Sequence, residues 1–123
     1  MYKIAILLKR NPALSMDEFI NYYEGVHAPL AAPLLAGAKR YFRHFLHPYS
    51  NAVYSEAGEA AYDVVTEFWF DDRAGFDRCM DALSRPDVVA VLGPDEEKLF
   101  DRSALRIMVI EEHETDPALL PKD

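Results

Sequence analysis

The chain has 123 residues, half of them hydrophobic and 12% aromatic, enough for one packed domain and too few for two. Twenty-one acidic against thirteen basic residues leave a net charge of −8, which favours solubility and disfavours nucleic acid or an anionic membrane as partner. No apolar run approaches the roughly 18 residues of a membrane helix, and the single cysteine, Cys79, fits a reducing, cytoplasmic setting.

The first apolar run, Ile4-Ala5-Ile6-Leu7-Leu8, is closed by Lys9-Arg10. It is too short for the hydrophobic region of a signal peptide and has no small-residue cleavage site after it, so it reads as a first strand over 2–9. Ser15 with Glu18 three residues on forms a capping box that starts a helix. Met16, Phe19, Ile20, Tyr23, His27 and Leu30 share one face of it at helical spacing. Pro29 disfavours helical geometry at Ala28, so this helix ends near His27 or restarts after a kink. Ala36-Gly37 supplies a turn, and an aromatic-rich second strand follows over 39–48.

Residues 49–61 carry turn formers with little periodicity and read as a long hairpin loop. The third strand, 62–71, has the clearest alternation in the chain, and a second helix covers 73–84. Within it Cys79 belongs to the stripe Phe76, Cys79, Met80, Leu83, which makes it a core residue rather than a nucleophile. A short helical piece is expected over 86–92. Pro94-Asp95-Glu96 then reads as the start of a separate final turn, with acids at its positive end. A fourth strand is expected over 104–112, which closes a domain over 1–112, and 113–123 form a loose or partner-embracing tail.

The order βαββαβ is that of a ferredoxin-like α+β fold: a four-stranded antiparallel sheet with both helices on one face. On the third strand Val64, Thr66, Phe68 and Phe70 point one way and Val65, Glu67 and Trp69 the other. The second set, with Leu7, Met108 and Ile110, is too apolar for a solvated face. The economical cover is a second copy, sheet to sheet, giving a homodimer; the alternative is that the tail or the 49–61 loop covers it. The second strand is ambiguous in phase, with Phe42 and Leu46 on one side and Tyr41 and Phe45 on the other.

Leu7-Leu8-Lys9-Arg10, Pro12, Leu14-Ser15, Glu18-Phe19, Tyr22-Tyr23 and His27-Ala28-Pro29-Leu30 together resemble the N-terminal signature of the EthD family. The resemblance continues through Arg40-Tyr41, Tyr62-Asp63, Glu67-Phe68-Trp69-Phe70-Asp71-Asp72, Asp95-Glu96 and Phe100-Asp101. It implies a dimeric α/β barrel of ferredoxin-like subunits, in a family associated with oxidative breakdown of small organic compounds and with aromatic polyketides. Tyr23 stands where the family usually has Trp, and Val64 where it usually has Gly.

His27 is the first candidate for chemistry: an imidazole on the apolar helical face, suited to acid–base work near neutral pH. The alternative is a structural histidine that bonds the last helical carbonyls. Glu67, mid-strand between Val65 and Trp69, is either a base in a pocket or the partner of Arg43, Arg106 or a histidine. His44 could face the same cleft, with Tyr23, Tyr41, Trp69 and Phe100 as substrate-binding walls, each otherwise a core aromatic.

The four histidines, His27, His44, His47 and His113, form no metal-ligand pattern, and no glycine-rich phosphate cradle exists, so no metal and no cofactor is expected. Two functions fit. One is a cofactor-free enzyme acting on a small apolar or aromatic compound by His/Glu proton transfer, in oxygenation, isomerisation, dehydration or decarboxylation. The other is a non-catalytic accessory protein that shelters a ligand for a partner oxygenase.

Overall fold

The structure, a computed structural model, describes residues 1–49 and 59–123, so most of the expected 49–61 loop lies outside the described residues. Strand β1 (Tyr2–Arg10) leads to helix α1 (Met16–Tyr22), a π-helical turn (Tyr23–His27), helix α2 (Ala28–Ala31) and a 3-10 turn (Ala32–Leu34). Strands β2 (Arg40–Phe45) and β3 (Val64–Phe70), helices α3 (Arg73–Leu83) and α4 (Pro86–Leu99), and strand β4 (Phe100–Val109) complete the domain. The sheet order is β2-β3-β1-β4, and all three neighbouring pairs are antiparallel. This is the ferredoxin-like α+β arrangement expected from the element order.

The local signals that start each element are physically visible. Ser15 accepts from the Glu18 amide while Glu18 accepts from the Ser15 amide, the reciprocal capping box at the start of α1. Asp72 caps α3 through the Gly75 amide. Gly37 turns the chain into β2 at φ 79°, and a Cβ there would meet the Gly75 carbonyl oxygen at 3.3 Å, so both conformation and space call for glycine.

Alternation on β3 is complete: Val64, Thr66, Phe68 and Phe70 are buried against the helices, and the residues between them lie on the outer face. Ile4 and Leu8 from β1 join them, and Phe19, Tyr23, Leu99 and Phe100 close the main core. Cys79 is fully buried beside Ile4, Phe68 and Phe70, and burial pushes its thiol up to about 11.

Two expectations are corrected. The piece over 86–92 and the turn expected at Pro94 are one continuous helix, α4. Pro94 removes the hydrogen bond to the Ala90 carbonyl, but both residues lie on the solvent side, where the lost bond costs less than in the core. The buried stripe Val88, Leu92, Asp95, Leu99 runs through the proline in register and holds the helix together. Strand β4 also begins earlier than expected, at Phe100. Between the paired positions Leu7↔Arg106 and Lys9↔Asp101, β1 advances two residues while β4 advances five, and this irregularity hides the alternation of its first half.

Candidate functional site

A cavity of about 490 Å³, its mouth included, lies between the inner sheet face and the helices. Ile6, Tyr41 and Thr66 form its floor, and His27, Leu92 and Glu96 face them from the helical layer. The lining is mostly apolar, with a few convergent polar groups, the usual character of a small-molecule site. Ile6 is less buried than its neighbours Ile4 and Leu8 on the same face of β1.

His27 reaches the cavity from the π-helical turn. The Ala28 amide bonds the Tyr23 carbonyl five residues back, and Pro29, which has no amide hydrogen, then enters α2 in its first turn without breaking the chain direction. The expected kink at Pro29 is therefore taken up as a widened turn, and the helix restarts. His27 is 6% exposed and meets Tyr23 and Phe100 edge-on, with ring centroids 5.3 and 5.4 Å away.

Its Nδ1 lies 2.7 Å from Oδ2 of Asp95, itself 8% exposed, on α4. The other carboxylate oxygen of Asp95 accepts from the Tyr22 hydroxyl. A buried carboxylate is costly unless its oxygens are bonded, and here both are. The carboxylate accepts from Nδ1–H, which leaves Nε2 as the nitrogen His27 can offer to the cavity. The hydrogen bond to Asp95 raises the Tyr22 phenol above its ordinary value.

The Tyr23 hydroxyl lies 2.6 Å from Thr66 Oγ1 on β3, and burial, with Tyr41 nearby, holds its phenol well above the ordinary range. Burial likewise raises Tyr41. Both phenols stay neutral donors near pH 7. Among the described residues, no three of His, Cys, Asp and Glu converge as ligands for a metal ion.

Of the residues singled out by sequence, His27, Tyr23, Tyr41 and Phe100 converge on this cavity. Glu67, His44 and Trp69 do not: they lie on the outer sheet face. Thr66 and Phe68 point inward, so pleating turns Glu67 and Trp69 away from the helices. Glu67 accepts from Trp69 Nε1 at 3.0 Å and lies 3.0 Å from His44 Nε2, while Lys3 Nζ sits 3.9 Å over the Trp69 ring. Arg43, an expected partner for Glu67, instead grips Glu24 with two hydrogen bonds of 2.7 Å. The phase of β2 is also resolved, with Tyr41 and Phe45 inside and Phe42 and His44 outside.

Asp95, Tyr22, Thr66 and Glu96 are given no site role by the sequence. For Asp95 the signal was the spacing of Val88, Leu92, Asp95 and Leu99, which puts it at a buried helical position. An acid there looks like the start of a helix rather than its middle.

The family model described as the EthD domain matches residues 11–103. The chain belongs to the EthD family. This EthD domain is 29% identical over 115 residues to the dehydratase ustZ of Ustilaginoidea virens, covering 85% of this chain and 78% of that protein. An EthD family protein from Bacillus halodurans superposes with a TM-score of 0.60 at 23% identity, covering 92% of this chain and 100% of that one. HapK from Hahella chejuensis gives 0.59 at 17%, covering 94% of this chain and 96% of its own. At these identities the solved structures speak for the fold alone.

Proposed function

We propose that this EthD domain is a small cofactor-free enzyme that moves protons on a small apolar or aromatic compound, with elimination of water as its reaction class. The observation that carries the reading is the His27–Asp95 pair at the wall of a mostly apolar cavity. Asp95 holds the imidazole in one tautomer and stabilises its protonated form, and Tyr22 holds Asp95. Nε2 then acts as the general base on an acidic C–H of the substrate. Similarity to a protein named a dehydratase supports elimination over the other proton-transfer reactions. Glu67 and His44, on the outer face, have no part in this chemistry.

The test is a panel of cyclic β-hydroxy ketones whose dehydration gives an aromatic ring, with loss of water followed by mass spectrometry. Wild-type turnover and a drop of roughly 10²- to 10⁴-fold in kcat for His27→Gln are expected. Tight binding of such compounds with no turnover would leave an accessory protein that shelters a ligand for a partner oxygenase.

We further infer that two copies pair through the outer sheet face, as the alternation of β1 and β3 suggested. Met108 is 52% exposed there, alongside Trp69, Val65 and Leu7. Residues 113–123 are exposed throughout and Leu119 is 77% open to solvent, which favours a second copy over the tail as the cover of this face. Light scattering at micromolar concentration is expected to give about twice the chain mass of 14.0 kDa. A monomeric mass would overturn the pairing. No helix among the described residues is long and apolar enough to cross a membrane, and one fully buried free thiol suits the cytoplasm.

A further inference from the structure

Elimination of water requires two proton transfers: one from carbon to a base, and one from an acid to the departing hydroxyl. His27 and Asp95 account for the first. Asp95 cannot serve the second, since its two oxygens are held by His27 and Tyr22 and it has no proton to give while it accepts from both. Tyr23 is engaged with Thr66.

Glu96 remains. It follows Asp95 directly on α4, and the rotation of about 100° per residue turns it from behind the imidazole toward the cavity that His27 also lines. It stands where the cavity meets a surface groove: cavity and groove share Leu83, Leu92 and Glu96, and Arg102 from β4 flanks the groove. No hydrogen bond or ion pair among the described residues engages its carboxyl. A half-buried carboxyl held by no hydrogen bond or ion pair among the described residues, beside a cavity lined by His27, is the complement such a reaction lacks.

We propose that Glu96 is the second catalytic group of this cavity, the acid that protonates the leaving hydroxyl while His27 takes the carbon-bound proton. The proposal rests on the dehydration reading above. The C–H bond breaks toward His27 Nε2 and its electron pair becomes the new C=C bond. The C–O bond breaks, and the oxygen leaves as water with the proton from Glu96. His27 then carries one proton more and Glu96 one fewer, and exchange with water at the open mouth restores both. No oxidant or reductant is consumed. Consistent with an acid's role, burial raises the Glu96 carboxyl above its ordinary value and the Asp95 charge adds to this, while His27 and Arg102 pull it back.

The test compares wild type, Glu96→Gln and His27→Gln on two substrates that differ only in the leaving group: a cyclic β-hydroxy ketone and its β-chloro counterpart. Chloride departs without a proton. Glu96→Gln is expected to lose roughly 10²-fold or more in kcat on the hydroxy compound and to stay within about threefold of wild type on the chloro compound. It should also lose the alkaline limb of the wild-type kcat–pH profile, because the protonated carboxyl is the active form. His27→Gln should lose both reactions. Equal losses on both substrates in Glu96→Gln, or none on either, would overturn the role of Glu96 and leave His27 in place. Absence of wild-type turnover on both would overturn the dehydration reading, and the role of Glu96 with it.

Discussion

Asp95→Asn is expected to lower kcat by roughly 10²- to 10⁴-fold with KM little changed, while the protein remains folded. The substitution keeps the shape of a side chain buried between His27 and Tyr22 and removes its charge. If the amide nitrogen faces His27, the imidazole must place its proton on Nε2, and the nitrogen turned to the cavity becomes a donor instead of a base. If the amide oxygen faces His27, the tautomer survives but the imidazolium formed during turnover loses its counter-charge. Either arrangement costs catalysis. The fold loses little, because an amide can still bond both neighbours; a change of about 1 kcal/mol, or a few degrees in Tm, is expected. Steady-state kinetics with parallel thermal melting separates the two effects. Full activity in Asp95→Asn would show that the pair is structural.

Phe19→Ala should be the most destabilising single change outside the site, by about 3–5 kcal/mol. Phe19 is fully buried and contacts three aromatic rings edge-on, Tyr23, Phe45 and Phe100, at centroid distances of 6.0, 5.9 and 6.2 Å. These rings come from the first helical segment, the edge strand β2 and the start of β4, so no single neighbour can move in to fill the void. Domains of this kind have about 5–15 kcal/mol in total, and the loss corresponds to a fall of roughly 12–20 °C in Tm. Urea and thermal unfolding measure it. A loss below about 1 kcal/mol would show that this core repacks freely. Tyr23 and Phe100 also flank His27, so the variant should lose activity well below its melting temperature as the cavity wall loosens.

Local rules carried most of the fold. The capping box at Ser15, the turn at Gly37 and the strict alternation of β3 depend on neighbours two to four residues away, and each stands in the structure where its residues indicate it. The failures share a cause. Pro94 and Asp95 look like a helix start because each, judged alone, suits a first turn; only the packing of Val88, Leu92 and Leu99 shows that the helix passes through them. Both faces of the second strand carry large apolar side chains, Phe42 and Leu46 on one and Tyr41 and Phe45 on the other, and pairing with β3 decides which one turns inward.

The same division runs through the site. His27 was legible because an imidazole on an apolar helical face stands out in sequence, and its aromatic neighbours Tyr23 and Phe100 followed from their own buried positions. Its partner was not legible. Asp95 lies 68 residues away, and a carboxylate becomes the partner of an imidazole only when two helical segments bring it within hydrogen-bond distance of a ring nitrogen. Glu67 shows the converse. Its sequence setting between Val65 and Trp69 suggests a costly buried charge, yet the pleat places it on the outer face, bonded to Trp69 and beside His44. Spacing along one chain sets the order of elements, the apolar face of each and the place of an imidazole on a buried helical face, since none of these needs a distant neighbour. Only the tertiary structure places Asp95 and Glu96 near that imidazole, because a pairing across long separations depends on how elements dock and on which face each turns inward.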